Sequence, residues 1–285
     1  MEFVFLGTSA GEQFPGFWCK CEMCEKARRL GGRNIRRNSC AWLAPDCAID
    51  FSPGVFHQAD RFGVPLIDIR YLLVTHSHED HLGMFPLYWR RMRVDQELPA
   101  PITSVGPRFS PVETLHVVGN STVCAKVERE VGGTSEERAM EVHQVAPYEP
   151  FELGPMVVTP LVANHPDHDE RGYNYIIERD GRTILYALDT GWFLPETLAE
   201  IERHEFDLMV IEGTFGLGAD EACHMNLAKV ERAFGLFRDK GVLKAGAPLC
   251  VSHMCPHATP VHDEIAPVMA EKGITIAYDG MRVEA

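Results

Sequence analysis

The sequence predicts a layered α/β sandwich, and three observations point to it. Apolar strand-like runs alternate with helical ones along 285 residues. Glycine and proline fall at the turns between them. Four of the apolar runs end in a potential metal ligand: His76 and its neighbours, His165, Asp189 and His253. Side chains delivered from like ends of several strands onto one rim are how a layered scaffold builds a site.

Taken in order, Val4 to Leu6, Ala41 to Leu43 and Cys47 to Asp50 read as short strands bounded by turn residues. Tyr71 to Val74 is a strand, and Leu82 to Met92 a helix starting directly after His81. Val157 to Ala163 and Tyr173 to Glu178 are strands, and Asp180-Gly181 is a hairpin turn into Thr183 to Leu188. Asp207 to Glu212 and Leu249 to Ser252 are short and apolar. Asn226 to Arg238 carries helical periodicity through Leu227, Val230, Phe234 and Phe237. Pro260 to Lys272 reads as a helix closed by Gly273. No stretch has the composition of an interdomain linker, so residues 1–285 read as one domain, with a cysteine-rich loop at about 16–38.

The composition, 45% hydrophobic and 24% charged, is that of a soluble globular protein. A formal net charge of −14 repels nucleic acid and favours a small substrate. The run Met1 to Gly7 has an acidic second residue and is too short for a secretory signal, and no segment approaches a membrane span. A cytoplasmic location follows as the expectation. Nine cysteines in such a chain point to free thiols and metal ligands before disulfides.

The most compact chemical signal is Thr75-His76-Ser77-His78-Glu79-Asp80-His81, directly after an apolar strand. Three imidazoles and a carboxylate form a donor set suited to zinc, manganese or iron. Taken with His165, Asp189 and His253, this pattern resembles the ligand set of the metallo-β-lactamase superfamily, from Phe5-Leu6-Gly7-Thr8 to the last strands. The resemblance implies an αββα four-layer sandwich. It also implies that His76, His78 and His165 hold one metal, that Asp80, His81 and His253 hold a second, and that Asp189 bridges them. Asp50 then matches a structural aspartate that buttresses the ligand loop. Such a pair of divalent ions, zinc or manganese or iron, keeps a shared hydroxide deprotonated near neutral pH. His143 competes with His165 for the third ligand position, and His168 does so more weakly. His165 is preferred because it follows the strand Val157 to Ala163 and precedes the hairpin leading to Asp189.

Cys19-x-Cys21-x-x-Cys24 has knuckle-like spacing for a structural tetrahedral zinc. With Ala27-Arg28-Arg29-Leu30-Gly31-Gly32-Arg33 after it, the triplet resembles the branch containing phosphoribosyl 1,2-cyclic phosphate phosphodiesterase. There the fourth ligand is a histidine just after the last catalytic-metal histidine. Here His253 and His257 are one residue further apart than in that pattern and Cys255 lies between them, so His257 is favoured and Cys255 stays open.

Glu212-Gly213-Thr214-Phe215 and Cys223-His224-Met225-Asn226 resemble the glutamate and histidine motifs of ribonuclease Z and of the cyclic-phosphate branch. They imply hydrolysis of a small phosphodiester, cyclic or linear, in which His224 protonates the leaving oxygen and Glu212 fixes the orientation of His224. Asp80 belongs with them as a ligand that shapes the reacting centre. Arg33-Asn34-Ile35-Arg36-Arg37-Asn38-Ser39 is a candidate contact for a second phosphate, with a solvated basic turn as the alternative. Phe14, Phe17, Trp18, Trp89 and Trp192 are either pocket lining or core, and core is favoured. The competing readings are a lactone or thioester hydrolase and a protein resembling the pyrroloquinoline quinone pathway member. Ribonuclease Z itself is disfavoured, because no basic, glycine-rich arm is present. Homodimers are common on this fold, but no residue pattern shows one.

Overall fold

Strands in this chain read as nearly continuous apolar runs because both of their faces are covered. In the first strand, β1 (Glu2–Gly7), Phe3 and Phe5 point to one core while Val4 and Leu6 point to another. The computed structural model describes residues 1–90, 113–167, 170–219 and 221–285. After β1 come α1 (Glu22–Leu30), β2 (Cys40–Leu43), β3 (Cys47–Ile49), α2 (Val55–Phe62), β4 (Tyr71–Leu73), α3 (Met84–Tyr88), β5 (Leu115–Gly119), α4 (Ser121–Val131), α5 (Ser135–Arg138) and β6 (Met140–Gln144). The second half holds β7 (Phe151–Leu153), β8 (Met156–Asp167), β9 (Glu170–Arg179), β10 (Arg182–Ala187), α6 (Pro195–Ile201), β11 (Leu208–Glu212), α7 (Leu227–Asp239), β12 (Leu249–Ser252), α8 (His262–Ala270) and β13 (Thr275–Ile276). The last strand, β14 (Arg282–Glu284), returns to pair with β1.

Two seven-stranded sheets result, ordered β14-β1-β2-β3-β4-β5-β6 and β13-β12-β11-β10-β9-β8-β7. Between them lies a core of Phe3, Phe5, Tyr71, Tyr175, Ile177 and Tyr186 with their neighbours. The outer face of the first sheet is covered through Val55, Ala59, Val123 and Val127 of α2 and α4. Leu227, Val230, Ala233 and Phe237 of α7, with Ile201, Ile265 and Met269, cover the second. The four-layer αββα sandwich is therefore built by three apolar interfaces. Burying one Leu or Phe side chain in such an interface contributes about 1.5–3 kcal/mol.

β3, β4 and β5 run parallel, as do β10, β11 and β12. Their carboxyl ends open at one edge, where open α/β layers place their ligands. Hydrogen bonds tie the sheets together there, among them Tyr173 N–H to Thr75 O (2.7 Å) and Tyr175 O–H to Val74 O (2.6 Å).

Two expectations need correction. The helix expected from Leu82 begins only at Met84, because Phe51 N–H bonds His81 O and Gly83 N–H bonds Phe51 O, holding residues 81–83 in a β-bridge. Its expected end, Met92, lies outside the described residues. The strand expected to close at Ala163 continues to Asp167 through an irregularity after Val162, so His165 lies within it. Among the described residues no helix is long and apolar enough to cross a membrane.

Candidate metal centre

The loop between β4 and α3 is shaped from below by Asp50, at the end of β3. Asp50 is fully buried and adopts a left-handed backbone (φ 61°). Its Oδ1 accepts from Thr75 N–H (2.9 Å) and Thr75 O–H (2.8 Å), and its Oδ2 lies 2.8 Å from His81 Nδ1. A carboxylate only accepts, so Nδ1 of His81 carries the proton and Nε2 presents a lone pair. The Thr75 hydroxyl has spent its single proton on Asp50. His76 Nδ1, 3.0 Å from that hydroxyl, must therefore be a donor too, which leaves its Nε2 as a lone pair. His253 Nδ1 meets Thr214 Oγ1 at 2.8 Å, which turns its Nε2 toward the same place.

These lone pairs converge. His81 Nε2 is 3.1 Å from His253 Nε2, 3.3 Å from Asp80 Oδ2 and 2.5 Å from Asp189 Oδ2. His253 Nε2 is 3.1 Å from Asp189 Oδ2 and 3.9 Å from Asp80 Oδ2. Donors about 2.1 Å from one tetrahedral zinc stand about 3.4 Å apart, so Asp80, His81 and His253 have the span of a single ion's ligands. A second group, His76, His78 and His165, brings ring nitrogens within 4.8 Å of one another, with His76 Nε2 and His78 Nδ1 at 2.9 Å. Asp189 stands between the groups, its Oδ2 3.8 Å from His76 Nε2.

The fit to cations is borne out by what is left unsatisfied. Asp189 Oδ2 and His165 Nδ1 are buried without a hydrogen-bond partner; the close His81 contact lacks hydrogen-bond geometry. Such groups are costly unless a cation or proton meets them. Burial lowers His81, but the charges of Asp80, Asp189 and Asp50 outweigh it and push the imidazole well above its ordinary range. Burial, with the His81 charge, holds His76 well below that range. Burial would raise Asp189, yet the charges of His253 and His81 hold its carboxyl well below the usual carboxylate range. Asp50, Asp189 (φ 45°) and His253 (φ 59°) are all left-handed non-glycine residues, and strain of this kind gathers where side chains must be aimed.

Beside the centre, Glu212 at the end of β11 is completely buried. Its Oε1 accepts from Thr190 N–H (2.6 Å) and lies 3.0 Å from His224 Nδ1, while Oε2 accepts from Thr214 and Met225 N–H (both 3.2 Å). His224 therefore has Nδ1–H fixed on Glu212. Its ring centroid is 4.8 Å from that of His165 and 6.2 Å from that of His253. Burial lowers its pKa, but the Glu212 hydrogen bond and charge, helped by Asp189, raise it overall. Gly191 permits this approach: a Cβ there would stand 1.9 Å from Ala222 O, two residues before His224.

Cys19, Cys21 and Cys24 bring their sulfurs within 4.8 Å of one another. Cys21 is the N-cap of α1, and the Cys24 backbone N–H lowers its thiol pKa, whereas burial pushes Cys24 up to about 12. His257 is exposed and its Nε2 faces Glu12 Oε1 at 2.8 Å, while Cys255 is buried.

Other expected residues take different places. His143 sits at the β5–β6 edge against His116, leaving the third position to His165; His168 lies outside the described residues. Arg36 does not face a substrate. It is buried, donating to Thr8 Oγ1 (2.8 Å) and Ala277 O (2.5 Å), with His262 Nδ1 accepting at 3.1 Å. Arg33 stacks over Tyr278 and Arg37 donates to Gln13. Phe14 is core, but Phe17, Trp18 and Trp89 are exposed, and Trp192 is half-buried under Arg232. The sequence reading missed Glu170, at the start of β9. It accepts from Ser77 N–H (3.0 Å), Ser77 O–H (2.5 Å) and Asn120 Nδ2 (2.8 Å), steadying the loop between His76 and His78. No local motif marks it, because its partners lie 93 and 50 positions away.

Among known proteins, coenzyme PQQ synthesis protein B of Methylococcus capsulatus is 24% identical over 320 residues, covering 98% of each chain. A diphosphatase from the PhnP family superposes with a TM-score of 0.73 at 17% identity, over 99% of this chain and 96% of that one. Zinc-bound PqqB from Methylobacterium extorquens gives 0.70 at 17% identity, over the whole of both chains. Residues 45–245 match the family model described as the beta-lactamase superfamily domain. The chain belongs to that superfamily and has the metallo-β-lactamase fold.

Proposed function

We propose that this metallo-β-lactamase-fold hydrolase cleaves a small phosphodiester, cyclic or linear. The observation that carries the reading is the pairing of His224 with the buried Glu212, 3.0 Å apart beside the converging ligands. A lactone or thioester hydrolase does not need an acid at that point; expulsion of a sugar alkoxide does.

His76, His78 and His165 would hold one divalent ion and Asp80, His81 and His253 a second, with Asp189 standing between the two groups of ligands. When bound, such a pair supplies a water made nucleophilic near neutral pH and positive charge for the phosphoryl oxygens. Zinc and manganese both suit these donors, and iron does as well. The protein's own part is proton control. Glu212 keeps Nδ1 of His224 protonated and the ring fixed, so Nε2 is the nitrogen that delivers a proton to the leaving oxygen. The raised pKa keeps that proton in place near neutral pH. Asp50 and Thr75 hold the imidazoles of His81 and His76 in one tautomer, which strengthens Nε2 of each as a metal donor. Cys19, Cys21 and Cys24 would hold a separate structural zinc, with His257 as its fourth ligand. The net charge of −14 supports a small substrate over a nucleic acid.

Purified, manganese-loaded protein assayed on a panel of cyclic and linear phosphodiesters, bis(p-nitrophenyl) phosphate included, tests this beside a lactone and a thioester. Phosphodiester turnover that falls strongly in His224→Ala at unchanged metal content is the expected result. Turnover of the lactone or thioester alone sinks the reading.

A second reading rests on the full-length likeness to coenzyme PQQ synthesis protein B. On it, the chain serves synthesis of that coenzyme. Restored coenzyme production in a bacterium lacking its own protein B, with every phosphodiester left intact, would favour it.

A further inference from the structure

A cluster of metal-ligating side chains outside the centre lies at the edge of the first sheet. β5 and β6 pair in parallel, with His116 opposite Glu141. His143 follows Glu141 by two residues, so the pleat sends both to the same face. His116 Nδ1 lies 3.0 Å from His143 Nε2 and 3.4 Å from Glu141 Oε2, and His143 Nε2 lies 3.8 Å from that oxygen. These separations bracket the roughly 3.4 Å expected between donors about 2.1 Å from one ion.

Proton counting shows what the cluster lacks. Two neutral imidazoles bring at most one proton each, and a carboxylate brings none. A single N–H between His116 and His143 leaves whichever of the two nitrogens accepts it facing a further acceptor, Glu141 Oε2. The rings are held in place: Tyr71 stacks on His116 (centroids 5.8 Å, 22°) and Phe151 lies against His143 (5.6 Å). Solvent reaches all three side chains, which are 28%, 27% and 53% exposed for His116, His143 and Glu141, so water can complete a coordination shell.

We infer that His116, His143 and Glu141 form a further metal site, open to water, for a late first-row divalent ion. Two imidazoles and one carboxylate favour nickel, copper or zinc over magnesium or calcium. The strands fix two backbones in register, so the donors are arranged before the ion arrives. The site stands apart from the phosphodiesterase reading, because Tyr71 and His116 lie toward the start of β4 and β5, while His76 to His81, Asp189 and His253 follow the ends of β4, β10 and β12.

Equilibrium dialysis of the zinc-loaded protein against nickel, followed by elemental analysis, tests it. The parent should take up one equivalent more nickel than His116→Gln or His143→Gln. Exchange at the catalytic and cysteine sites appears equally in all three. Equal uptake overturns the proposal and leaves a hydrogen-bonded histidine pair. Glu141→Gln alters an exposed side chain, so it keeps the test decisive if the histidine variants misfold. At least tenfold weaker nickel binding is expected for it, and unchanged affinity counts against the site.

Discussion

Asp50 Oδ2 lies 2.8 Å from His81 Nδ1, with both side chains fully buried, and this contact sets the tautomer on which the metal centre rests. The same carboxylate, through Thr75, sets His76. One residue that touches no ion thus governs a ligand in each of the two groups.

Asp50→Asn keeps the size of the side chain but offers one acceptor oxygen where the native residue offers two. Either Thr75 or His81 then faces an amide N–H. Metal affinity should fall by about 10–100-fold, as for other partners behind a ligand histidine. Competition with a chromophoric chelator measures this, and unchanged affinity would deny Asp50 its role.

Glu212→Gln tests the acid. Glu212 raises the His224 pKa against burial, so removing its charge lowers it. A general acid works while protonated, so activity is lost as pH rises through its pKa. The descending limb of the kcat profile should therefore move to lower pH in the variant, with zinc or manganese content retained. A limb that stays put would assign it to another group.

Gly191→Ala places a methyl group 1.9 Å from the carbonyl oxygen of Ala222. The backbone segment leading to His224 must shift to admit it. Displacing the acid alone should cut kcat by about 10²–10⁴-fold, the usual contribution of general acid–base catalysis. Metal content serves as the control, and near-parental turnover would show that the segment yields without cost.

The cysteine group makes a separable prediction. Cys24→Ser and His257→Ala should each lose one equivalent of zinc by elemental analysis, whereas Cys255→Ala should keep it. Loss of zinc in Cys255→Ala but not His257→Ala would reverse the fourth ligand.

His262 offers a stability test away from the metals. Burial, and then the charge of Arg36, lowers its pKa to about 4. A base depressed in the fold contributes stability that is complete above its unfolded pKa of about 6.5 and is lost as pH falls toward 4. His262→Gln keeps an acceptor for Arg36 without a titrating group. Relative to the parent, its urea midpoint should rise as pH falls from 6.5 to 4; parallel curves would refute the coupling.

The ligand cluster at His76 to His81, the aspartate at Asp189 and the terminal histidine at His253 were legible because each follows an apolar strand, and strand ends are written locally. Asp50 was legible for the same reason. The Glu212 and His224 motifs could be read as a pair, but not that four hydrogen-bond partners surround Glu212. Arg36 shows the limit. A run of arginines looks like an anion contact until packing buries one of them against Ala277 and His262, more than 200 residues away. Glu170 shows the same limit from the other side, as a supporting carboxylate with no neighbouring signature.

The amino-acid order by itself determined which chemical groups are available and that strands would carry them, since period and turn chemistry act over a few residues. Only the tertiary structure decided which groups meet. Two parallel sets of strands, one in each sheet, bring their carboxyl ends to a common edge, and contacts across dozens to hundreds of positions depend on packing that no local pattern encodes.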